Sequence, residues 1–168
     1  PALSNFSPRS QTAKAWPSLA TASTNDEIEA CNCGQYGCLE QYTSATGIVR
    51  LAKRKLAKSS EETSIREIPN LTAKDVFDAA KAGDAIAIGL VDEVCEILGS
   101  TLSNIACVVN PEIIVIGGGV SKAGDILLDN IKKHFVETAF MACRDTKFAL
   151  AGLGNDAGMY GCVEMLLD

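Results

Sequence analysis

Apolar positions along the chain follow a helical period over most of its length and a strand-like period in two short stretches. From Cys38 to about Lys58, Leu39, Tyr42, Ala45, Val49, Ala52 and Leu56 recur at helical spacing, with Lys53, Arg54, Lys55 and Lys58 gathered towards the end. The pattern predicts one amphipathic helix whose basic last turn complements the macrodipole. That charge run reads as a solvated helix terminus rather than an anion site. Gly47, interior to the helix, weakens the pattern locally. Residues 59–70 are polar with little pattern and form a connection. Thr72 followed by Asp75 predicts a capping-box start for a short helix to Ala82, with Val76, Phe77 and Ala80 inward and Gly83 ending it. Asp84 can cap the next and longest helix, about 85–107. Its stripe of Ile86, Leu90, Val94, Ile97, Leu98, Leu102 and Ile105 makes it the expected central packing helix.

Asn110-Pro111 breaks that helix, because proline disfavours the α conformation in the residue before it. The run Glu112-Ile-Ile-Val-Ile-Gly117 then predicts a strand buried on both faces. It leads through Gly117-Gly118-Gly119 into a helix over about 123–140, on which His134 reads as an exposed or half-packed residue. Phe148 and Leu150 alternate within a second predicted strand, 146–151. Gly152 to Gly158 leads into a closing helix to about Leu167, capped by Asn155 or Asp156. The fold class is α/β, rich in helix. Residues 1–25 carry no acidic side chain and crowd Ser, Thr, Ala and Pro around Phe6, Trp16 and Leu19, the composition of an irregular arm.

At 168 residues and 47% hydrophobic, the chain is long enough for one domain with a core of its own. A net charge of −6 and a pI near 4.8 leave no basic face for a nucleic-acid backbone or an anionic membrane. Seven cysteines is an odd number for a disulfide framework, and Cys95, Cys107, Cys143 and Cys162 fall in apolar runs, where they read as buried small side chains. No signal peptide or membrane-length apolar run is seen, so the expected compartment is the cytosol.

The remaining cysteines carry the candidate chemistry. Residues 31–40 read Cys-Asn-Cys-Gly-Gln-Tyr-Gly-Cys-Leu-Glu, in which Cys31, Cys33 and Cys38 have metal-site spacing and Gly34 and Gly37 permit the bend that would converge them. A tetrahedral zinc site needs a fourth ligand; Asp26, Glu27, Glu29 or a water could supply it, and the single histidine, His134, lies far along the chain. Three free cysteines, or a disulfide between two of them, are the plainer readings. Glu40 can be a favourable charge at a helix start. The glycines 117–119 can be a tight turn, or a place where a ligand nears the backbone beside a helix N-terminus.

The pattern Cys31-x-Cys33-Gly34-x-x-Gly37-Cys38-x-Glu40 resembles the zinc signature of the ROK family of bacterial sugar kinases and sugar-responsive repressors. Its continuation over 41–49 is similar to the glucokinases of that family. The resemblance implies the C-terminal lobe of an RNase H-like, actin-like ATPase, helix-rich with a small mixed sheet. It implies structural zinc on Cys31, Cys33 and Cys38 together with an upstream histidine, sugar hydroxyls hydrogen-bonded by Glu40, and ATP with Mg. Gly117 and Gly118 match a turn that touches the adenosine and α-phosphate, with Gly119 close by.

Residues 26–168 look like the later part of such a kinase and residues 1–25 do not. The Gly-Glu-x-Gly-His segment, the Asp-x-Gly-x-Thr phosphate turn and the catalytic aspartate of the family have no counterpart here. The expectation is a lobe without its first strands, truncated, frame-shifted or fused near residue 26. It would be inactive alone, and either oligomeric with copies of itself or completed by the missing N-terminal half. The activity implied for the intact protein is phosphoryl transfer from ATP to a hexose, glucose foremost. The alternative is the sugar-sensing effector domain of a repressor, whose helix-turn-helix residues 1–25 are too short and irregular to form.

Overall fold

The computed structural model describes residues 31–166. The expected arm, residues 1–25, lies outside them. The first departure from the pattern is at Ser44, where the helix predicted over 38–58 divides into a single turn, α1 (Glu40–Thr43), and α2 (Ala45–Lys58). Ser44 is extended, and its hydroxyl accepts from the Gly47 amide at 3.0 Å, a capping bond that restarts the helix. Gly47 is required there: a Cβ would stand 2.8 Å from the carbonyl carbon of Gln41. The buried face of α2 is accordingly Gly47, Ile48, Leu51 and Ala52, and Val49 is only half-buried.

The connection 59–70 is more ordered than its composition indicates. Its 3-10 turn, Ser64–Glu67, buries Ile65, and the Arg66 guanidinium donates to the carbonyls of Leu56, Ser59 and Glu61. Helix α3 (Ala73–Lys81) starts at the expected capping box, in which Thr72 and Asp75 bond reciprocally, and it buries Val76, Phe77 and Ala80. Helix α4 (Ala85–Val109) is capped by Asp84 and ends at Asn110 in the left-handed conformation, φ 44°. Packed against α2, α3 and the later helix, it is the central helix of the main core. Of its predicted stripe, Ile105 is exposed.

Strand β1 (Ile113–Ile116), helix α5 (Asp125–Thr138) and strand β2 (Lys147–Leu150) form one β-α-β unit. Ile113 pairs with Lys147 and Ile116 with Leu150 in parallel register. The described sheet is thus of a single sense, where a mixed one was expected, because a helical crossover returns the chain parallel. Helix α5 lies against α4 at Gly99, where a Cβ would meet the Ile131 carbonyl oxygen at 2.7 Å. A smaller core of Ala106, Phe135, Ala139 and Cys143 adjoins the sheet, with Phe135 edge-on to Phe148 at 5.1 Å between centroids.

Burial corrects three expectations and capping a fourth. Strand β1 is not buried on both faces: Ile114 and Ile116 are half-buried while Ile113 and Val115 are 48% and 55% exposed, since helices cover one side of the sheet only. The closing helix, α6 (Ala157–Glu164), buries none of its residues, and its N-cap Asp156 makes no side-chain capping bond. Cys95 and Cys143 are buried as expected, but Cys107 and Cys162 are exposed, one on the bare end of α4 and the other on α6. His134 is buried rather than exposed. Its Nε2 lies 2.9 Å from Asp92 Oδ1 on α4 and its Nδ1 lies 3.3 Å from Glu137 Oε2, so a carboxylate stands beside each nitrogen of a ring that helix packing takes from water.

Candidate functional site

The loop before α1 is bent by Gly34 (φ 81°) and Gly37 (φ 72°), backbone angles at which any Cβ is strained. The turn is closed by the Gly34 amide on the Cys31 carbonyl and the Cys31 amide on the Gln35 carbonyl, both at 2.8 Å. Its product is a cluster: the sulfurs of Cys31, Cys33 and Cys38 all lie within 4.8 Å of one another, and Cys33 to Cys38 measures 3.5 Å. Tetrahedral zinc with thiolate bonds of 2.3 Å has an S–S edge of about 3.8 Å. Three soft donors at that separation fit three corners of a zinc site. Among the described residues no fourth ligand joins them, and Asp26, Glu27 and Glu29 lie outside those residues. No disulfide links the described cysteines.

The thiols differ in acidity. The Cys33 backbone amide, and after it the Gln41 side chain, bring the Cys31 thiol down to about 7. Its hydrogen bond with Cys33, followed by desolvation and the charge of Cys31, pushes Cys38 up to about 11. Near neutrality the cluster therefore holds a ready thiolate beside a thiol that yields its proton only to a stronger competitor such as a metal.

Glu40 is the first residue of α1, two positions beyond Cys38, and its side chain is exposed. Tyr42, 4% exposed, anchors the turn behind it in the core. The residue between them was not singled out by spacing. Gln41 Oε1 accepts from the Arg50 guanidinium, which leaves its amide NH2 to donate to Cys31. Gln41 thereby ties the sulfur loop to the second turn of α2. The one sequence signal for this linkage was Gly47, whose missing side chain lets the two segments meet.

The three glycines follow β1 directly, and two of them have a structural reason to be glycine. A Cβ on Gly117 would press on the Ala151 Cβ at 3.3 Å, and Gly118 has a φ of 81°. Gly119 has neither constraint, and a side chain there would stand in open space. Its carbonyl turn is set by Ser121, whose hydroxyl donates to the Gly118 carbonyl at 2.7 Å. A 3-10 turn (Gly119–Ala123) then separates the glycines from α5, so the helix does not begin at the glycine corner.

Residues 19–168 match the ROK family. The chain belongs to that family. It is 50% identical over 135 residues to a glucokinase of Halalkalibacterium halodurans, covering 78% of this chain and 41% of that protein. It is 26% identical over 146 residues to a xylose repressor of Caldicellulosiruptor bescii, covering 85% of this chain and 37% of the repressor. Its fold matches the crystal structure of a ROK family glucokinase from Streptomyces griseus in complex with glucose and AMPPNP, with a TM-score of 0.71 and 30% identity over 80% of this chain and 46% of that one. This ROK chain thus spans less than half the length of each of these relatives. The architecture is that of the ROK sugar kinases, an actin-like ATPase fold, here helix-rich with a sheet of two parallel strands. Among the described residues, no helix is long and apolar enough to cross a membrane.

Proposed function

We propose that this chain is the C-terminal lobe of an ATP-dependent hexose kinase acting on glucose in the cytosol, with residues 26–168 forming the lobe. The observation that carries the reading is the sulfur cluster with Glu40 two residues behind it, on a chain half identical to a glucokinase. Zinc on Cys31, Cys33 and Cys38 would fix the loop and so fix where α1 begins. Glu40, exposed at that start, would accept hydrogen bonds from sugar hydroxyls, a charge-assisted contact that orients the acceptor. The corner Gly117, Gly118 and Gly119 would let the nucleotide of MgATP approach the backbone, and the open space at Gly119 supports this. The base that takes the sugar proton and the turn that cradles the phosphates are assigned to residues outside this chain, so the chain alone is inactive. The uncovered side of β1 supports completion by that other half or by a second copy.

The likeness to a xylose repressor favours a second reading, a sugar-sensing domain that binds without phosphorylating. One experiment separates them. An ATP-plus-glucose coupled assay is run on this chain and on a fusion carrying the preceding half of the Halalkalibacterium halodurans glucokinase. Turnover by the fusion alone supports the kinase reading. Turnover by the chain alone overturns the assignment of roles. Glucose binding with no turnover in the fusion supports the sensor.

A further inference from the structure

Donors to a thiolate sulfur fix the direction in which it binds a metal and spread the charge it brings, so residues outside the ligand set tune a metal site. Three thiolates on one zinc ion leave a net negative charge to be spread. The Cys31 sulfur takes hydrogen bonds from the backbone amide of Cys33, inside the loop, and from the side chain of Gln41, on α1. The first donor moves with the loop. The second reaches the sulfur from a segment anchored elsewhere.

The anchor is Arg50. Its Nη1 donates to Gln41 Oε1 and, at 3.4 Å, to the Gln41 backbone carbonyl. A guanidinium carries only donors, so the Gln41 amide must turn its oxygen to Arg50, which leaves its NH2 for Cys31. Arg50 in turn sits on a helix whose Ile48, Leu51 and Ala52 are buried in the main core. The two backbones also meet at this point, since a Cβ on Gly47 would stand 2.8 Å from the Gln41 carbonyl oxygen. A relay therefore runs from a packed helix through guanidinium and amide to sulfur, and the chemistry of each group fixes which end donates.

We infer that Gln41 is a positioning residue of the metal site: its amide, locked by Arg50, aims the Cys31 sulfur at the ion, and Arg50 influences the ion only through that amide. This role rests on the proposed zinc site at Cys31, Cys33 and Cys38. It adds to the three sulfurs a group that never touches the metal and yet sets how tightly the metal is held. Gln41 directly follows Glu40 on the single turn of α1, so the bond that orients the sulfur also steadies the turn that carries the proposed sugar contact.

The test is the zinc affinity of the full chain, measured by competition with a chromophoric chelator. Gln41→Leu should weaken zinc by about 10–100-fold. Arg50→Met should weaken it by a smaller factor, and the double variant should be no weaker than Gln41→Leu alone, because Arg50 has no other route to the sulfur. A spectroscopic readout separates aiming of the sulfur from a general loss of structure. With cobalt(II) in place of zinc, the sulfur-to-metal charge-transfer band of Gln41→Leu should move to lower energy, since a thiolate that loses an N–H donor holds its lone pair less tightly. Affinity equal to the parent's, an unmoved band in Gln41→Leu, or additive losses in the double variant overturns the positioning role while the zinc site itself stands. A parent chain that takes up no zinc overturns the zinc site and this role with it.

Discussion

The carboxylate of Asp84 accepts the Ser64 backbone amide at 2.7 Å while it caps α4 through the Ala87 amide at 3.1 Å. One side chain thereby starts the central helix and pins the connection 59–70 across it. The hydroxyls of Thr63 and Ser64 add further donors at 2.8 Å.

Desolvation opposes ionisation of Asp84, but these amides and hydroxyls more than offset it and hold the carboxyl at about 2, against an ordinary 3.8. A folded value below the unfolded one stabilises the protein fully above about pH 4, and the stabilisation is lost as the pH falls through about 2. Asp84→Ala should cost about 1–2 kcal/mol at pH 7. In unfolding curves from pH 7 to 2, the gap between the parent and Asp84→Asn should close below about pH 4. A constant gap would show that the charge contributes nothing.

Gly99→Ala should destabilise by about 1–3 kcal/mol, although alanine is the better helix former. The added methyl meets the Ile131 carbonyl at 2.7 Å and the Phe135 amide nitrogen at 2.9 Å, backbone atoms that cannot move aside as a side-chain tip would. Gly89→Ala, on the same helix, faces only the Lys55 ammonium at 3.2 Å and serves as the control. Chemical denaturation of the two variants decides the point.

Elemental analysis of the chain purified without chelator should find one zinc per chain, and Cys33→Ser should reduce it sharply. In the metal-free chain, iodoacetamide at pH 7 should modify Cys31 well before Cys38. A thiol at about 7 is half ionised there, and one at about 11 is almost wholly protonated. Tryptic mass spectrometry over a time course reads the order, and the difference should shrink as the pH is raised.

If Glu40 receives sugar hydroxyls, Glu40→Gln in the glucokinase fusion should raise the dissociation constant for glucose by about tenfold or more, the cost of losing a charged acceptor. Melting temperature in the absence of sugar should stay within a degree or two, because the side chain is exposed and no shift in helix packing follows. A rise in the dissociation constant matched by a fall in melting temperature would mark Glu40 as a structural residue.

Local chemistry was legible in the sequence wherever a single residue type carried the signal. Thr72 and Asp75 announced their capping box, Asp84 its cap, Pro111 the end of α4, and the paired glycines the bend that gathers three sulfurs. What escaped was set by partners distant in the chain. Ser44 divides a continuous helical period because Gly47 must pass the Gln41 backbone, a contact no periodicity encodes. His134 reads as a surface residue until α4 delivers Asp92 to its ring. The run Ile113 to Ile116 has the pattern of a doubly covered strand, and what the pattern lacks is any record of which elements are present to cover it. Arg50 was not singled out by the helical pattern, and only its meeting with Gln41 gives it an address.

The half-covered strand has a practical corollary. Ile113 and Val115, with Val108 and Val109 on the adjoining end of α4, present branched hydrocarbon to solvent on a particle whose dispersal rests on six units of net negative charge. Colloidal behaviour should then be governed by pH: clear solutions above neutrality, and flocculation on approaching pI 4.8, where repulsion vanishes while the oily strip remains.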